Sequence, residues 1–400
     1  MTSSKQSTKS SFYDICFTIS IFAMMGILLA LPYQNNSLIS LGTYTIAGCA
    51  VVMFVRYFID HLQYVPWEEI VFVGLAVMCV IAVLVDRAVS FASLVSVICF
   101  LEIPMFMLCA KETMTKKPAI IFLWVQYILS FYYIYLSRTD KANYYIGFYG
   151  TTTIDELTLG YHNPNETAMY LFTCFLSLLI AFLFYKRFIL RLMFGINAVM
   201  IFRLVWLTES RAGIVSCALA VVAFILIKLI PVGKFVTKIA IAVPWLMVAA
   251  IYFFNDALVE IEFLGSSVET GRIDVFQNAL KGMNFFRFLF GNFSISFNNM
   301  HNVYITVFAT IGIFGVILYS SYLSNSLISQ SDKVVNNLSE KMAYVGVLLF
   351  VIYSSVEAAM MVSGSAYAVC FTGIYVYFSY DQDESEEDEK SMRWLRKSAK

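Results

Sequence analysis

Long apolar runs broken by short polar clusters dominate the chain, and the runs are too long and too numerous for the core of a soluble domain. A helix that crosses a bilayer needs roughly 20 mostly apolar residues at about 1.5 Å rise each. Hydropathy and helix breakers predict about twelve such segments, near 13–33, 37–55, 69–85, 90–110, 118–137, 167–184, 192–208, 212–230, 239–255, 302–323, 342–361 and 364–380. The first follows a short polar stretch with Lys5 and Lys9. Signal peptides begin the same way, but the many apolar runs behind this one mark it as an uncleaved first span. The predicted fold is all-α, a polytopic membrane bundle of about 12 transmembrane helices.

Composition agrees: 60% of the residues are hydrophobic and 14% charged. An ordinary soluble enzyme is excluded, since such domains run near 45–50% apolar and roughly 25% charged. Basic and acidic residues balance at 27 each, so net charge points to no nucleic-acid partner. Their placement says more. With the N-terminus inside, the inner loops and termini carry nineteen Lys and Arg and the outer loops seven, with Arg203 within a span. That asymmetry predicts both termini in the cytoplasm. The eight cysteines all lie in hydrophobic runs without CxxC spacing, and read as small packing residues rather than a disulfide or zinc framework. The chain is expected to divide into an N-terminal bundle over 1–184, a C-terminal bundle over 185–380, and a solvated cytoplasmic tail over 381–400, acidic and then basic.

Two predicted outer loops are long, Arg138 to Glu166 and Asp256 to His301, and long loops in compact proteins are usually functional or disordered. In the second, between spans 9 and 10, Ile273, Phe276 and Leu280 recur at helical spacing and predict a short amphipathic helix at the outer interface.

Polar chemistry collects at the outer span ends. Arg211 sits in the tight turn Thr208-Glu209-Ser210-Arg211-Ala212-Gly213, where it either snorkels to the interface or aims its planar donors at phosphate. Arg272 follows Gly271 at the predicted start of the loop helix, as a solvated arginine or an anion ligand. His301 precedes Asn302 at the entry to the tenth span, as a polar anchor or as a general base. Asn163-Pro164-Asn165 is a helix-entry signal that serves equally as a cap. Arg203 and Glu357 are intramembrane charges that need interior partners, and an Arg203–Glu357 pair is one possibility. Glu209 is a second partner available to Arg211 or Arg203.

Taken in order, Asn163-Pro164-Asn165, Glu209-Ser210-Arg211-Ala212-Gly213, Gly271-Arg272, Phe290-Gly291 and His301-Asn302-Val303-Tyr304 running into Gly312 and Gly315 resemble the bacterial O-antigen ligase and O-antigen/capsular polysaccharide polymerase superfamily. The resemblance covers roughly residues 155–320. It departs at Phe276, where the family commonly carries Trp, and at Asn292, where it often has a second Gly.

The resemblance implies a metal-independent, inverting glycosyl transfer at the outer face of the bacterial plasma membrane, with the site facing outward. The donor would be an oligosaccharide on a polyprenyl pyrophosphate. Arg211 and Arg272 would hold the pyrophosphate and His301 would stand at the reacting end. Arg203, Glu209, Ser210, Asn163, Asn165, Asn302, Tyr304 and Glu357 would contact substrate. No cofactor is expected, and the partners would be membrane lipids, with a flippase or chain-length regulator of polysaccharide assembly. Polymerase and ligase share this chemistry and differ in acceptor; polymerization is the favoured expectation. A transporter of lipid-linked sugars is the competing class, and predicts paired broken helices with charges at the midplane.

Overall fold

The computed structural model describes residues 2–60, 67–85, 89–147, 150–230, 232–254, 262–263, 266–267, 274, 277, 283–292, 301–331, 334, 337–357, 361 and 364–379. Helices dominate: α1 (Thr2–Ala30), α2 (Asn36–Asp60), α3 (Trp67–Val85), α4 (Phe91–Thr113), α5 (Lys117–Leu136), α6 (Pro164–Phe184), α7 (Phe188–Leu207), α8 (Arg211–Ile225), α9 (Lys234–Phe253), α10 (Phe285–Phe290), α11 (Val303–Ser331), α12 (Leu338–Tyr353) and α13 (Ser365–Ser379). A helix lies over each of the twelve predicted apolar segments. Eight, α1–α7 and α11, are long and apolar enough to cross a membrane, and α8 and α13 are shorter apolar helices. This is the architecture of a multi-pass helical membrane protein.

Two predicted helix limits move, each for a local reason. α12 stops at Tyr353, well before 361, because the next carbonyls leave the helix: that of Ser354 accepts from Val303 N at 2.9 Å and that of Ser355 from Asn302 Nδ2 at 3.1 Å. α8 closes at Ile225 and gives way to turns. The predicted loop helix around Ile273, Phe276 and Leu280 lies outside the described residues, as do Arg272 and the tail 381–400.

α6 is central, with 83% of its apolar window buried, and α12 and α13 are buried along nearly their whole length. α2 and α7 are peripheral, at 28% and 33%. Where the neighbour is lipid, exposed Ile15, Ile19, Phe22 and Val199 carry no hydrophobic penalty.

Ion pairs tie one end of the bundle together. Lys116 Nζ lies 2.6 Å from Glu340 Oε1 and 4.4 Å from the Tyr377 ring centroid, linking α5, α12 and α13. Lys111 reaches Glu68 at 2.8 Å, and Asp14 on α1 accepts from Thr115 N at 2.9 Å. Burial lowers the Lys116 pKa, and Glu340 opposes that shift.

At the opposite end the segment between α5 and α6 forms an antiparallel hairpin, β1 (Tyr144–Gly147) with β2 (Gly150–Thr153), Tyr144 facing Thr153. Behind it the chain folds onto the end of α1: Tyr161 donates to Leu28 O at 3.0 Å, and Gly160, at φ 77°, packs so closely that a Cβ would lie 3.0 Å from Pro32.

α11 is broken. Ile311 and Gly312 leave helical geometry, with Gly312 at φ 71° and ψ −172°, a region only glycine enters cheaply. The break receives the end of α10. A Cβ on Gly312 would lie 2.2 Å from Leu289 O, and one on Gly291 2.3 Å from Thr310 O, so the two segments meet backbone to backbone. Asn292 N donates to Ala309 O at 2.6 Å, a carbonyl that the break deprives of its helical donor. Gly312 lies nine residues into α11, about 14 Å along the axis, so the loop segment dips toward the middle of the bundle.

Candidate functional site

The polar residues at this end are organised by the entries to α6, α8 and α11. Asn163 caps α6, its side chain accepting from Glu166 N at 2.8 Å, while Glu166 Oε2 accepts from His162 N at 3.1 Å. This reciprocal arrangement fixes the turn before the helix. It leaves the exposed Asn165 on the first turn, where its Oδ1 accepts from Ser210 Oγ at 2.8 Å. Ser210 caps α8. Gly213 brings α8 against α6, since a Cβ there would lie 2.7 Å from that of Ala168. Asn163, Asn165, Ser210 and the half-buried Arg211 thus meet at one helix–helix junction.

The connection into α8 is strained. Glu209 adopts φ 54°, as does His301, and left-handed backbone is disfavoured for both. Glu209 is exposed and near Glu156 on the first long loop. Burial, then the charges of Glu209 and Asp155, raise the Glu156 pKa.

His301 is placed by its neighbour. Asn302 is fully buried and makes four hydrogen bonds: Nδ2 donates to Pro244 O at 2.9 Å and Ser355 O at 3.1 Å, while Oδ1 accepts from Tyr304 N at 2.9 Å and Ile305 N at 3.3 Å. Tyr304 is also fully buried; its hydroxyl donates to Ile241 O at 3.0 Å and its ring stacks on Trp245 at 4.9 Å. The expectation that Asn302 and Tyr304 contact substrate is corrected: their polar groups are taken up by the protein and they shape the site from behind.

With α11 pinned in this way, His301 Nδ1 stands 3.6 Å from Glu357 Oε2, within ion-pair range. Glu357, 4% exposed, lies just past the end of α12. The Arg203–Glu357 pair is not made: Arg203 is exposed on α7, and Glu357 faces His301 instead. A rim joins the two groups. Tyr353 lies beside both Ser210 and Glu357, and Tyr367 beside both Glu166 and Glu357. Tyr367 stacks on Tyr170 at 4.6 Å with rings 5° apart.

The structure therefore brings Asn163, Asn165, Ser210, Glu357 and His301 to one end of the bundle and leaves Arg203 apart; Arg272 lies outside the described residues. Glu166, Tyr353 and Tyr367 were missed as site residues. Glu166 carried a signal, three places after a capping Asn, but the tyrosines read as ordinary span residues. Glu102 was missed as well. It lies inside the fourth predicted span, is fully buried, and its Oε1 accepts from Ser365 Oγ at 2.7 Å. Among the described residues no group of three or more His, Cys, Asp or Glu is placed to hold a metal ion. No protein-family model matches the chain, and no curated protein matches it.

Proposed function

We propose that the protein is a membrane glycosyltransferase that polymerises lipid-linked oligosaccharide repeat units. It would transfer the glycan from polyprenyl pyrophosphate to an acceptor sugar hydroxyl, with inversion, at the outer face of a bacterial plasma membrane and with both termini inside. The observation that carries this reading is the gathering of separate span ends, Asn165 with Ser210 and Arg211, and His301 with Glu357, around one rim where helices end. That level suits a donor whose isoprenoid tail sits in hydrocarbon and whose diphosphate and sugar sit at the interface. The buried tyrosine face of Tyr170 and Tyr367 beside acidic groups is the kind of wall sugars stack on.

In this reaction an acceptor hydroxyl attacks the anomeric carbon while the bond to the diphosphate oxygen breaks and the electron pair leaves with the diphosphate. His301 takes the hydroxyl proton. Guanidinium groups from Arg211 and Arg272 meet the charge developing on the leaving group, and fixed donors of that kind are worth about 10²–10³-fold each. Arginine fits because its planar fork matches phosphate oxygens two at a time.

A ligase acting on a terminal acceptor uses the same steps. The different-class reading, a transporter of lipid-linked sugar, is favoured by the break in α11 and by the buried Glu102. The broken backbone is already occupied, however, since Asn292 satisfies the carbonyl opened there. Purified protein in vesicles with a polyprenyl-pyrophosphate oligosaccharide separates the three. Longer glycans formed without an energy source support polymerization, and single transfer to a terminal acceptor supports ligation. Movement of lipid-linked sugar without chain growth rejects both. Arg211→Ala should insert normally and lose chain growth; wild-type growth in that variant removes Arg211 from the mechanism.

A further inference from the structure

His301 is held in an unfavourable backbone conformation, φ 54°, at a cost of roughly 1 kcal/mol. The strain persists because the residues on its C-terminal side are bonded to the turn that follows α12: Val303 N to Ser354 O, and Asn302 Nδ2 to Ser355 O. Those two bonds join the start of α11 to the turn carrying Glu357. They set one face of the imidazole against the carboxylate, Nδ1 to Oε2 at 3.6 Å. The contact is asymmetric in exposure, the His301 side chain being 38% exposed and that of Glu357 5%. The carboxylate is thus the buried back of the pair and the imidazole its accessible front.

We infer that Glu357 is a positioning residue for His301: it accepts the Nδ1 proton, holds the neutral ring in the tautomer whose Nε2 lone pair is free, and stabilises the imidazolium once Nε2 has taken a proton. The inference rests on the proposed role of His301 as proton acceptor. A separation of 3.6 Å is longer than a finished hydrogen bond, and contacts of this kind commonly tighten only when substrate is bound. A buried carboxylate behind an imidazole does two jobs in acyl-transfer triads, orientation and charge stabilisation, and the same division of labour applies to proton removal from a sugar hydroxyl. The proton balance closes: the hydroxyl proton passes to Nε2, Nδ1 keeps its own, and Glu357 stays ionised throughout.

Other titratable groups face the pair. Glu166 on α6, itself close to His162, presents a second carboxylate near Glu357. Tyr353 at the end of α12 and Tyr367 on α13 approach Glu357 as phenols. None of the three is a cation, so the imidazole is the natural counter-charge for Glu357 within this set.

The test uses full-length protein and two readouts. Glu357→Gln removes the charge at nearly constant size. Turnover with lipid-linked oligosaccharide should fall about 10²- to 10⁴-fold with KM little changed. The acidic limb of the pH–rate profile should move to lower pH, because the carboxylate no longer favours protonated His301. In a His301→Ala background the same substitution should add nothing. Losses that multiply across the double variant, or an unmoved acidic limb, overturn the inference. The second readout does not depend on turnover. The chain has three histidines, so ¹⁵N-histidine spectra, assigned with His301→Asn, report the tautomer and titration of His301 directly. A neutral ring carrying its proton on Nδ1, with a titration that falls to lower pH in Glu357→Gln, supports the assignment; the other tautomer, or a titration indifferent to Glu357, sinks it. If the spectra agree and the wild-type protein transfers no sugar, the functional reading fails while the pair stands.

Discussion

Replacing Asn302 by aspartate discriminates between two roles that look alike in the sequence. If Asn302 served only as the cap of α11, Asp would be nearly neutral, since the two residues cap about equally well. The structure gives its amide a second task. Nδ2 donates to Pro244 O and Ser355 O, both buried, and a carboxylate offers those carbonyls no proton. Asn302→Ala should lose the cap, about 1 kcal/mol, and two interhelical bonds, about 0.6 kcal/mol each in membrane helices. With part of the cost of leaving buried carbonyls bare, the total is about 2–3 kcal/mol. Asn302→Asp must either set a negative charge against two carbonyl oxygens or take up a proton. Protonation of a carboxyl of ordinary pKa near 3.9 at pH 7 costs about 4 kcal/mol, at 1.36 kcal/mol per unit. The conservative substitution should therefore be the more damaging one. The sign with pH is also set: the folded-state pKa of the introduced Asp lies above its unfolded value, so its stability deficit is largest at pH 8 and shrinks as pH falls toward 5. Thermal unfolding of detergent-purified variants at one fixed scan rate measures this, with midpoints ordered wild type, Ala, Asp at pH 8 and the last two converging in acid. An Asp variant as stable as wild type at pH 8, or one whose deficit ignores pH, would show that the amide does not hold α9 and α12.

Three further outcomes follow from the same geometry. Gly312→Ala should disorder the docking of α10, because its Cβ would lie 2.2 Å from Leu289 O at φ 71°; protease sensitivity of the 285–292 segment should rise while far-UV helicity stays unchanged. Lys116→Met should cost about 3–5 kcal/mol by leaving Glu340 buried without its cation, and pairing it with Glu340→Leu should recover most of that loss in thermal unfolding. Glu156→Gln should raise stability slightly, by under about 1 kcal/mol at this largely exposed site. Because burial and neighbouring carboxylates raise the Glu156 pKa above its unfolded value, the wild-type residue is tolerated below about pH 4.5 and becomes unfavourable as pH rises through its folded-state pKa, so the gain should appear at pH 7 and vanish near pH 4.

Long apolar stretches read reliably because the bilayer leaves the backbone one option over such lengths, a helix. The motif residues fared unevenly for a different reason. Asn163, Ser210 and His301 stand beside helix entries, and the cap chemistry that marks those entries is written in a few adjacent letters. Glu357 was visible as a charge in a span, yet its partner is 56 positions away in sequence, and nothing local favours His301 over Arg203. Asn302 and Tyr304 were read as binding residues because polar side chains next to a histidine look like a site; only the positions of Pro244, Ile241 and Ser355 show where their hydrogen bonds go. Gly291 and Gly312 appeared as separate small-residue signals, and their contact reveals a single cause, a loop backbone laid against a broken helix.

The prolines and the break share one solution. Pro104 interrupts α4, Pro244 interrupts α9, and Gly312 interrupts α11 itself. Each interruption turns carbonyls out of their helical bonds in a region where water is scarce. Tyr322 donates to Pro104 O at 2.8 Å, Asn302 and Tyr304 serve Pro244 O and Ile241 O, and the α10 segment docked on α11 serves Ala309 O. All three bends are therefore held through one helix, whose first residues also set the angle of His301 to Glu357. A change at Tyr322, deep in the bundle and far along α11 from the histidine, should then disturb α4 without touching the pair. A change at Asn302 disturbs α9, the turn after α12 and the pair together. Loss of turnover with Tm intact points to the reacting groups, and loss of both together points to this scaffold. The polar residues of α11 fall on either side of that line, with His301 on the first and Asn302, Tyr304 and Tyr322 on the second.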